Sequence, residues 1–101
     1  MRTVTVTWRA FGGRDYGLFY EGDKTATFEI DTDLTDMALC EKVYRDTNLY
    51  EGEVWDLLEP VLPEGRSHTA ISTVFTRGDW VTVDGRTYEV MPIGFREVTN
   101  D

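Results

Sequence analysis

The dipeptide Asp84-Gly85 constrains the fold of this chain more than any other short feature. It lies between two segments, residues 80–83 and 86–91, in which β-favouring side chains alternate with polar ones. Both central residues of a type I′ turn need a positive φ, and Asp-Gly adopts this geometry readily. We therefore predict a β-hairpin. Its buried face would hold Val81, Val83, Tyr88 and Val90, and its water-facing side Thr82, Thr87 and Glu89.

The residues after this hairpin predict one more short strand. Pro92 cannot donate a backbone hydrogen bond, so it should end the strand or lie at an edge. Gly94 permits a bend before a last strand over residues 95–98. The three strands would form a curled meander or part of a small barrel.

Two further strands are expected near the start of the sequence. Residues 3–8 alternate strictly, with Val4, Val6 and Trp8 inward and threonines outward. Gly12-Gly13 breaks this pattern, and an aromatic-rich connection over residues 14–24 follows. Residues 25–30 alternate again, with Ala26, Phe28 and Ile30 on the apolar side.

Helical patterns occupy the middle of the chain. Candidate caps and acidic residues around Asp31, Asp33 and Asp36 predict a helix start, and the helix should run to about residue 46, before Thr47-Asn48. Its apolar stripe would hold Leu34, Met37, Ala38 and Val43, flanked by Leu39 and Tyr44. A second helix is predicted over residues 52–59, with an apolar stripe made by Val54, Leu57, Leu58 and Val61.

The order of elements is thus β-β-α-α-β-β-β. We predict one acidic α+β domain spanning residues 1–101, in which a twisted, mainly antiparallel sheet or partial barrel is covered by two helices. The N-terminal strand pair and the C-terminal meander should share one sheet, with Val61 and Leu62 anchoring the crossing between helices and sheet.

The net charge of −9 is concentrated in one segment. Residues 21–64 hold thirteen acidic residues against Lys24, Lys42 and Arg45, a balance of −10. Such a field repels DNA and phospholipid headgroups and favours basic partners. We therefore expect no direct nucleic-acid binding and no membrane association.

Other bulk properties favour a cytoplasmic protein. No apolar run approaches the ~20 residues of a bilayer span, and the first residues lack the apolar core of a signal peptide. The single cysteine, Cys40, excludes an intrachain disulfide. A catalytic thiolate would need the only histidine, His68, as its partner, and the spacing gives that pairing no support.

Two clusters of carboxylates contain residue types that could bind a metal ion or act in acid–base catalysis. Asp31, Asp33 and Asp36 could coordinate a hard cation, but they lack the glycine and distal glutamate of an EF-hand, and helix capping explains them more simply. Glu51, with the following acids of the second helix, could act as an acid–base pair, but these residues are expected on a solvated helix face. The sequence therefore predicts no catalytic residue, no metal site and no cofactor.

Trp55 lies off the apolar stripe of the second helix. It could shield the core edge or serve as an interface anchor on an acidic helix. The candidate binding surface contains one aromatic residue and seven acidic ones: Trp55, Glu51, Glu53, Asp56, Glu59, Asp31, Asp33 and Asp36.

The C-terminal half carries a family resemblance. The matching segments are Leu58 and Leu62, Arg66-Ser67-His68-Thr69, Ile71-Ser72, Gly78-Asp79-Trp80-Val81, Val83-Asp84-Gly85, Tyr88-Glu89-Val90 and Gly94-Phe95-Arg96-Glu97-Val98. In these residues the chain resembles the YodL-like domains of polyvalent proteins from phages and conjugative elements, and similar small actinobacterial phage proteins. It departs from that pattern at residues 73–77, which are inserted before Gly78-Asp79 and could be a loop or a lengthened strand.

The resemblance implies a phage or mobile-element origin and no catalytic residue. Together with the charge, it leads to the expectation of a non-enzymatic, acidic protein-binding module. Its partner would be a host or phage protein with a basic surface. It could act as a host-factor inhibitor or counter-defence protein, including by DNA mimicry. The alternative is a structural or accessory phage protein that acts through self-association.

Overall fold

The fold is a five-stranded antiparallel sheet with both helices packed on one face. The computed structural model describes residues 1–9, 23–64, 69–74 and 77–98. The strands are β1 (Arg2–Trp8), β2 (Lys24–Ile30), β3 (Thr73–Val74), β4 (Arg77–Gly78), β5 (Trp80–Val83), β6 (Arg86–Val90) and β7 (Phe95–Glu97). The helices are α1 (Asp36–Leu49) and α2 (Glu53–Leu58), and a 3₁₀ turn, Glu59–Val61, follows α2. The strand order in the large sheet is β2-β1-β5-β6-β7.

This architecture confirms the predicted α+β class. The N-terminal pair and the C-terminal meander share one sheet, and the sheet stays open instead of closing into a barrel. A cluster of buried side chains from the described residues lies between the sheet and the helices. It consists of Val4, Val6, Trp8, Ala26, Phe28, Ile30, Leu39, Cys40, Val43, Val54, Leu58, Ile71, Val81, Val83, Tyr88 and Val90.

The hairpin formed by β5 and β6 turns at Asp84-Gly85 as predicted. Both residues have positive φ, 48° and 87°, which is the requirement of a type I′ turn. Val81 pairs with Tyr88 across the hairpin and both are buried.

The prediction that Glu89 faces water is wrong. Its side chain is on the face opposite the helices, but it is buried because Arg9 and Arg96 approach its carboxylate, at 3.4 and 3.6 Å.

Strand β1 lies between β2 and β5, and its inward side chains Val4, Val6 and Trp8 are buried as expected. The outward threonines form a row that crosses four strands. Thr5 pairs with Thr27 of β2 and with Thr82 of β5, and Thr82 pairs with Thr87 of β6. The hydroxyls of Thr5 and Thr27 are 2.8 Å apart, and those of Thr82 and Thr87 are 2.9 Å apart.

Helix α1 starts where the cap pattern predicted but ends later. The Thr35 hydroxyl accepts a hydrogen bond from Ala38 N at 3.2 Å, which makes Thr35 the N-cap. The helix continues past residue 46 to Leu49 because Thr47 does not act as a breaker. Its hydroxyl donates to the Val43 carbonyl at 2.9 Å, so this polar side chain is satisfied while it is fully buried.

The buried face of α1 also differs from the predicted stripe. Val43 is buried as expected, but the other core positions are Leu39 and Cys40, which precede it by four and three residues. Met37 is instead 40% exposed. The apolar positions of α1 are compatible with more than one stripe, and packing against the sheet selects one of them.

The predicted stripe of α2 is half right. Val54 and Leu58 are fully buried, whereas Leu57 and Val61 are 37% and 45% exposed. Helix α2 has only six residues and tightens into the 3₁₀ turn at Glu59. Val61 lies at the end of this 3₁₀ turn, so the α-helical spacing behind the predicted stripe does not apply to it. Leu62 packs against the core, so of the two predicted anchors only Leu62 has that role.

Residues 73–78 contain a second, two-stranded sheet. Thr73 pairs with Gly78 and Val74 with Arg77, so the insertion noted in the sequence is extended at both ends. Strand β7 ends at Glu97, one residue before the predicted end. Gly12-Gly13, most of the predicted connection over residues 14–24, and His68 lie outside the described residues.

Candidate functional site

The junction between α1 and α2 is organised by one buried carboxylate, Asp46. Its side chain is 1% exposed and accepts a hydrogen bond from Val54 N in the first turn of α2, at 3.0 Å. Gly52, the residue before α2, has no side chain with which to cap that helix. Asp46 therefore supplies from α1 the cap that α2 lacks locally.

Gly52 is required by this arrangement. Its φ is 111°, and a Cβ at this position would lie 2.5 Å from the carboxylate of Asp46. The other carboxylate oxygen of Asp46, Oδ1, lies 3.8 Å from Arg45 Nε. The close approach of the Gly52 backbone thus lets α2 start directly against α1.

The same junction exposes an aromatic pair. Tyr50 follows α1 with φ 55° and ψ 38°, a left-handed conformation that usually belongs to glycine or asparagine. Its side chain is 58% exposed. The Trp55 ring, half-buried, meets it edge to face, with ring centroids 5.2 Å apart and planes at 72°.

Carboxylates surround this pair. Residues 51–59 contain Glu51, Glu53, Asp56 and Glu59 and no basic residue, and all four acids are exposed. Glu53 forms a salt bridge with Lys42 at 2.9 Å. Within the part of the chain that the structure describes, the other three have no salt-bridge partner, so their charge acts on the solvent side of the junction.

We call this set the junction surface: Tyr50, Glu51, Glu53, Trp55, Asp56 and Glu59. Five of its members were candidates from the sequence. Tyr50 was not, because the sequence predicted that the first helix would end before residue 47. The signal that could have identified Tyr50 is its position directly before Glu51-Gly52, because a glycine often follows the C-terminus of a helix.

The remaining sequence candidates lie elsewhere and differ from one another. Asp31 and Asp33 are exposed in the connection between β2 and α1. Asp36 is the first residue of α1, whereas Glu51 follows the other end of that helix. Fourteen residues of helix span about 20 Å, so Asp36 and the junction surface are separate.

Asp36 is engaged inside the protein. Its carboxylate forms a salt bridge with Arg2, accepts a hydrogen bond from Tyr88 Oη at 2.7 Å, and lies 3.6 Å from Arg86 Nε. The Tyr88 hydrogen bond and these two guanidinium groups lower the pKa of Asp36 below its usual value despite some burial. In turn, the same bond raises the pKa of Tyr88 to about 12. The charge of Asp36 is therefore compensated within the protein, and Asp36 lies outside the junction surface.

The other functional features considered from the sequence are a reactive cysteine and a metal site. Cys40 is fully buried, and burial raises the pKa of its thiol to about 12, so the thiolate is not populated near neutral pH. No cluster of three or more metal-ligating side chains occurs among the described residues. Neither helix in the described ranges is long and apolar enough to span a membrane.

The segment Gly78-Asp79, part of the family resemblance, has a structural explanation. A Cβ on Gly78 would lie 1.9 Å from the carbonyl oxygen of Val90. Asp79 is 3% exposed and accepts hydrogen bonds from the backbone N–H groups of Arg9 and Ser72, at 2.9 and 3.0 Å. These contacts join β1, β5 and the segment before β3, so the motif holds the sheet together at this end.

Comparison with known proteins found no relative. No family model, no curated protein and no solved structure matches this chain. The resemblance to YodL-like domains therefore remains a prediction from the sequence.

Proposed function

We propose that this protein is a binding module that recognises a basic surface of another protein through the junction surface. The observation that carries the proposal is the contact of the exposed Tyr50 with the half-buried Trp55, surrounded by four exposed carboxylates. Aromatic side chains are the commonest interface anchors, because they contribute a large contact area with few rotatable bonds.

The backbone of Tyr50 supports a role in binding. A non-glycine residue in the left-handed region costs roughly 1–2 kcal/mol relative to the right-handed one. Glycine would satisfy the same cap without that cost and without an exposed ring. A bulky aromatic residue at such a position is expected where the ring itself is needed.

The exposed carboxylates attract basic partners and discriminate against acidic ones. Exposed charges of one sign raise the rate of encounter with an oppositely charged partner, and they weaken binding to acidic proteins and nucleic acids. We infer a partner whose binding site contains several lysine or arginine side chains and an apolar recess for Trp55. The resemblance to phage and mobile-element domains makes a bacterial host factor the expected partner, and inhibition or counter-defence the expected outcome.

DNA mimicry is one form of this proposal. Glu53, Asp56 and Glu59 follow one another at three-residue spacing, which corresponds to about 4.5 Å of helix rise per step. One strand of duplex DNA carries a charge about every 3.4 Å. A protein that normally binds DNA would therefore meet a similar, shorter row of negative charges.

The proposal is tested by retention of a partner from a bacterial lysate at about 0.15 M salt, where weak surface attraction is screened. The tagged protein is compared with a Trp55→Ala variant and with an Asp56→Lys, Glu59→Lys variant. An Asp31→Lys, Asp33→Lys variant is the matched control, since it changes the net charge equally at another exposed site. We expect a stoichiometric partner that both junction variants lose and the control retains.

Two outcomes would count against the junction surface. A partner that the control loses equally would be bound by net charge alone. A partner that both junction variants retain would bind elsewhere. If no partner is retained and light scattering shows a defined oligomer, self-association becomes the better hypothesis. Displacement of a retained partner by duplex DNA would support mimicry.

A further inference from the structure

Strand β7 forms one edge of the sheet and leaves its outer backbone groups unpaired among the described residues. Met91 N donates to Gly94 O at 3.0 Å, and Val98 N donates to Thr87 O at 2.7 Å. Because hydrogen-bonded pairs alternate along an antiparallel ladder, Arg96 is the β7 residue whose backbone groups face Glu89. The N–H and C=O groups of Phe95 and Glu97 therefore point away from the sheet.

A groove lies beside this edge, on the face that carries the helices. It has a volume of about 240 Å³ and is lined by Glu41 and Tyr44 of α1 and by Val90, Met91, Pro92, Gly94 and Phe95. The rings of Tyr44 and Phe95 meet edge to face at 6.4 Å. Ile93, in the turn between β6 and β7, is 94% exposed. The groove thus has apolar walls, with one carboxylate from Glu41.

Charge on this edge is divided between the two faces of β7. Residues 95 and 97 share the helix-side face because side chains alternate along a strand. Arg96 points to the opposite face, where it lies 3.6 Å from the Glu89 carboxylate. The free edge therefore presents, on one face, an aromatic ring beside a groove and then an exposed carboxylate, Glu97.

We propose that β7 binds a strand from another protein by antiparallel addition to this edge. The added strand would carry a lysine or arginine two residues before an aliphatic residue. The aliphatic side chain would lie opposite Phe95 and enter the groove, and the basic side chain would lie opposite Glu97. The backbone of Phe95 and Glu97 would supply the hydrogen bonds.

A second copy of this chain fits the edge poorly. The self-paired register that uses both Phe95 and Glu97 places Arg96 opposite the Arg96 of the other copy, and Glu97 opposite a phenylalanine. Like charges directly opposite one another destabilise a strand pair. The occupant is therefore a foreign strand with a basic residue, which also complements Glu41.

Two synthetic peptides of the same composition test this inference. One, acetyl-Thr-Lys-Thr-Ile-Thr-amide, has the proposed order, and the other, acetyl-Thr-Ile-Thr-Lys-Thr-amide, has the reverse. Binding is followed by the amide NMR signals of the full chain. We expect the first peptide to shift the Phe95 and Glu97 signals and to bind about threefold to tenfold more tightly than the second, as two mispaired positions imply.

Two variants locate the contact. Glu97→Pro removes an outward N–H without removing a ladder hydrogen bond, so the fold should persist while peptide binding is lost. Glu97→Lys should weaken the first peptide by at least about threefold. Glu29→Lys makes the same charge change on β2, at the other edge of the sheet, and should leave binding unchanged.

Three results would overturn the inference. The first is equal binding of both peptides. The second is no shift of Phe95 or Glu97 at about 1 mM peptide, the range of weak complexes. The third is a set of shifts confined to Tyr50 and Trp55, which would mean that the lysine binds the junction surface.

Discussion

The two ends of α1 are both acidic, but their charges are used differently. At the start of the helix, Asp36 is surrounded by Arg2, Arg86 and the Tyr88 hydroxyl. At the other end, Asp46 is buried in a capping contact, and the carboxylates beyond it are exposed to solvent. One end therefore ties the sheet to the helix, while the other keeps its charge available to a partner. Net charge alone does not distinguish these roles.

The largest expected effect is that of a substitution at Gly52, which tests the packing at the C-terminal end of α1. Gly52→Ala should lower the free energy of unfolding by about 2–5 kcal/mol, because it combines an unfavourable φ with a clash against Asp46. Gly85→Ala is the matched control. Gly85 also has positive φ, but a Cβ there meets no atom within 4 Å, so only the backbone cost of about 1–2 kcal/mol should remain. Urea unfolding measures both, and equal losses would mean that Asp46 and Gly52 are not tightly packed.

The start of α1 is tested by Tyr88→Phe, which removes the hydroxyl that donates to Asp36. A hydrogen bond to a charged group contributes about 1.5–3 kcal/mol, and we expect a loss of that size. Partner binding should not change, since Asp36 and the junction surface are separate. A variant that unfolds normally but loses the partner would show that the two ends of the helix are coupled.

The dependence of stability on pH should also reflect the contact between Tyr88 and Asp36. The Tyr88 hydroxyl, Arg2 and Arg86 lower the folded pKa of Asp36. Hydrogen bonds from Thr3 N, at 2.9 Å, and from Arg2 Nε lower that of Asp84. The stabilising contributions of both carboxylates are therefore complete above the unfolded carboxyl pKa and are lost as the pH falls below it. The folded pKa of Tyr88 is raised to about 12, so its contribution is complete below pH 10 and is lost as the pH rises towards 12. Urea unfolding across pH should show both losses in the wild-type protein. Tyr88→Phe should reduce the alkaline loss to the part that Cys40 contributes, because burial also raises the pKa of that thiol to about 12.

Two substitutions at Tyr50 separate stability from binding. Tyr50→Gly and Tyr50→Ala both remove the ring, so both should weaken the partner about equally. Glycine should be more stable than alanine by about 1 kcal/mol, because it adopts the left-handed backbone without a Cβ penalty. Thermal unfolding and partner retention measure the two effects. If alanine were as stable as glycine, Tyr50 would not be strained.

The smallest expected effect concerns charge reversal. Glu59→Lys should change stability by no more than about 0.5 kcal/mol and in the favourable direction, because it relieves repulsion among the exposed acids and places a cation near the end of α2. Asp36→Lys should be clearly destabilising, since it brings a lysine beside Arg2 and Arg86. Equal effects of the two reversals would erase the distinction between the two helix ends.

Local patterns predicted most of the fold, because the strands alternate cleanly and Asp84-Gly85 fixes a register. The helix boundaries and faces were harder to predict. Thr47 was expected to help end α1, but a buried hydroxyl that bonds to the Val43 carbonyl supports the helix instead. Val61 was expected in the core, yet α2 ends at Leu58 and Val61 is 45% exposed in the 3₁₀ turn that follows. Both outcomes depend on tertiary packing that a single helix pattern does not contain.

The candidate site was only partly predictable for the same reason. The exposed acids of α2 follow from its outer face, so Glu53, Asp56 and Glu59 could be identified directly. Tyr50 depends on where α1 ends, and Asp36 on residues brought close by the sheet. Arg2 and Tyr88 are far from Asp36 in sequence, so no local motif could show that its charge is internally compensated.

The position of β1 between β2 and β5 has a kinetic consequence. Its pairing with β2 is a local hairpin, whereas its pairing with β5 joins residues near opposite ends of the sequence, such as Val6 and Val81. Closing a long loop costs entropy before its contacts form, so the pairing of β1 with β5 is expected to limit the folding rate. Until then, β1 has an open edge on which the hairpin of another chain could pair, so exchange of β5 and β6 between nascent copies is the misfolding route that this topology favours.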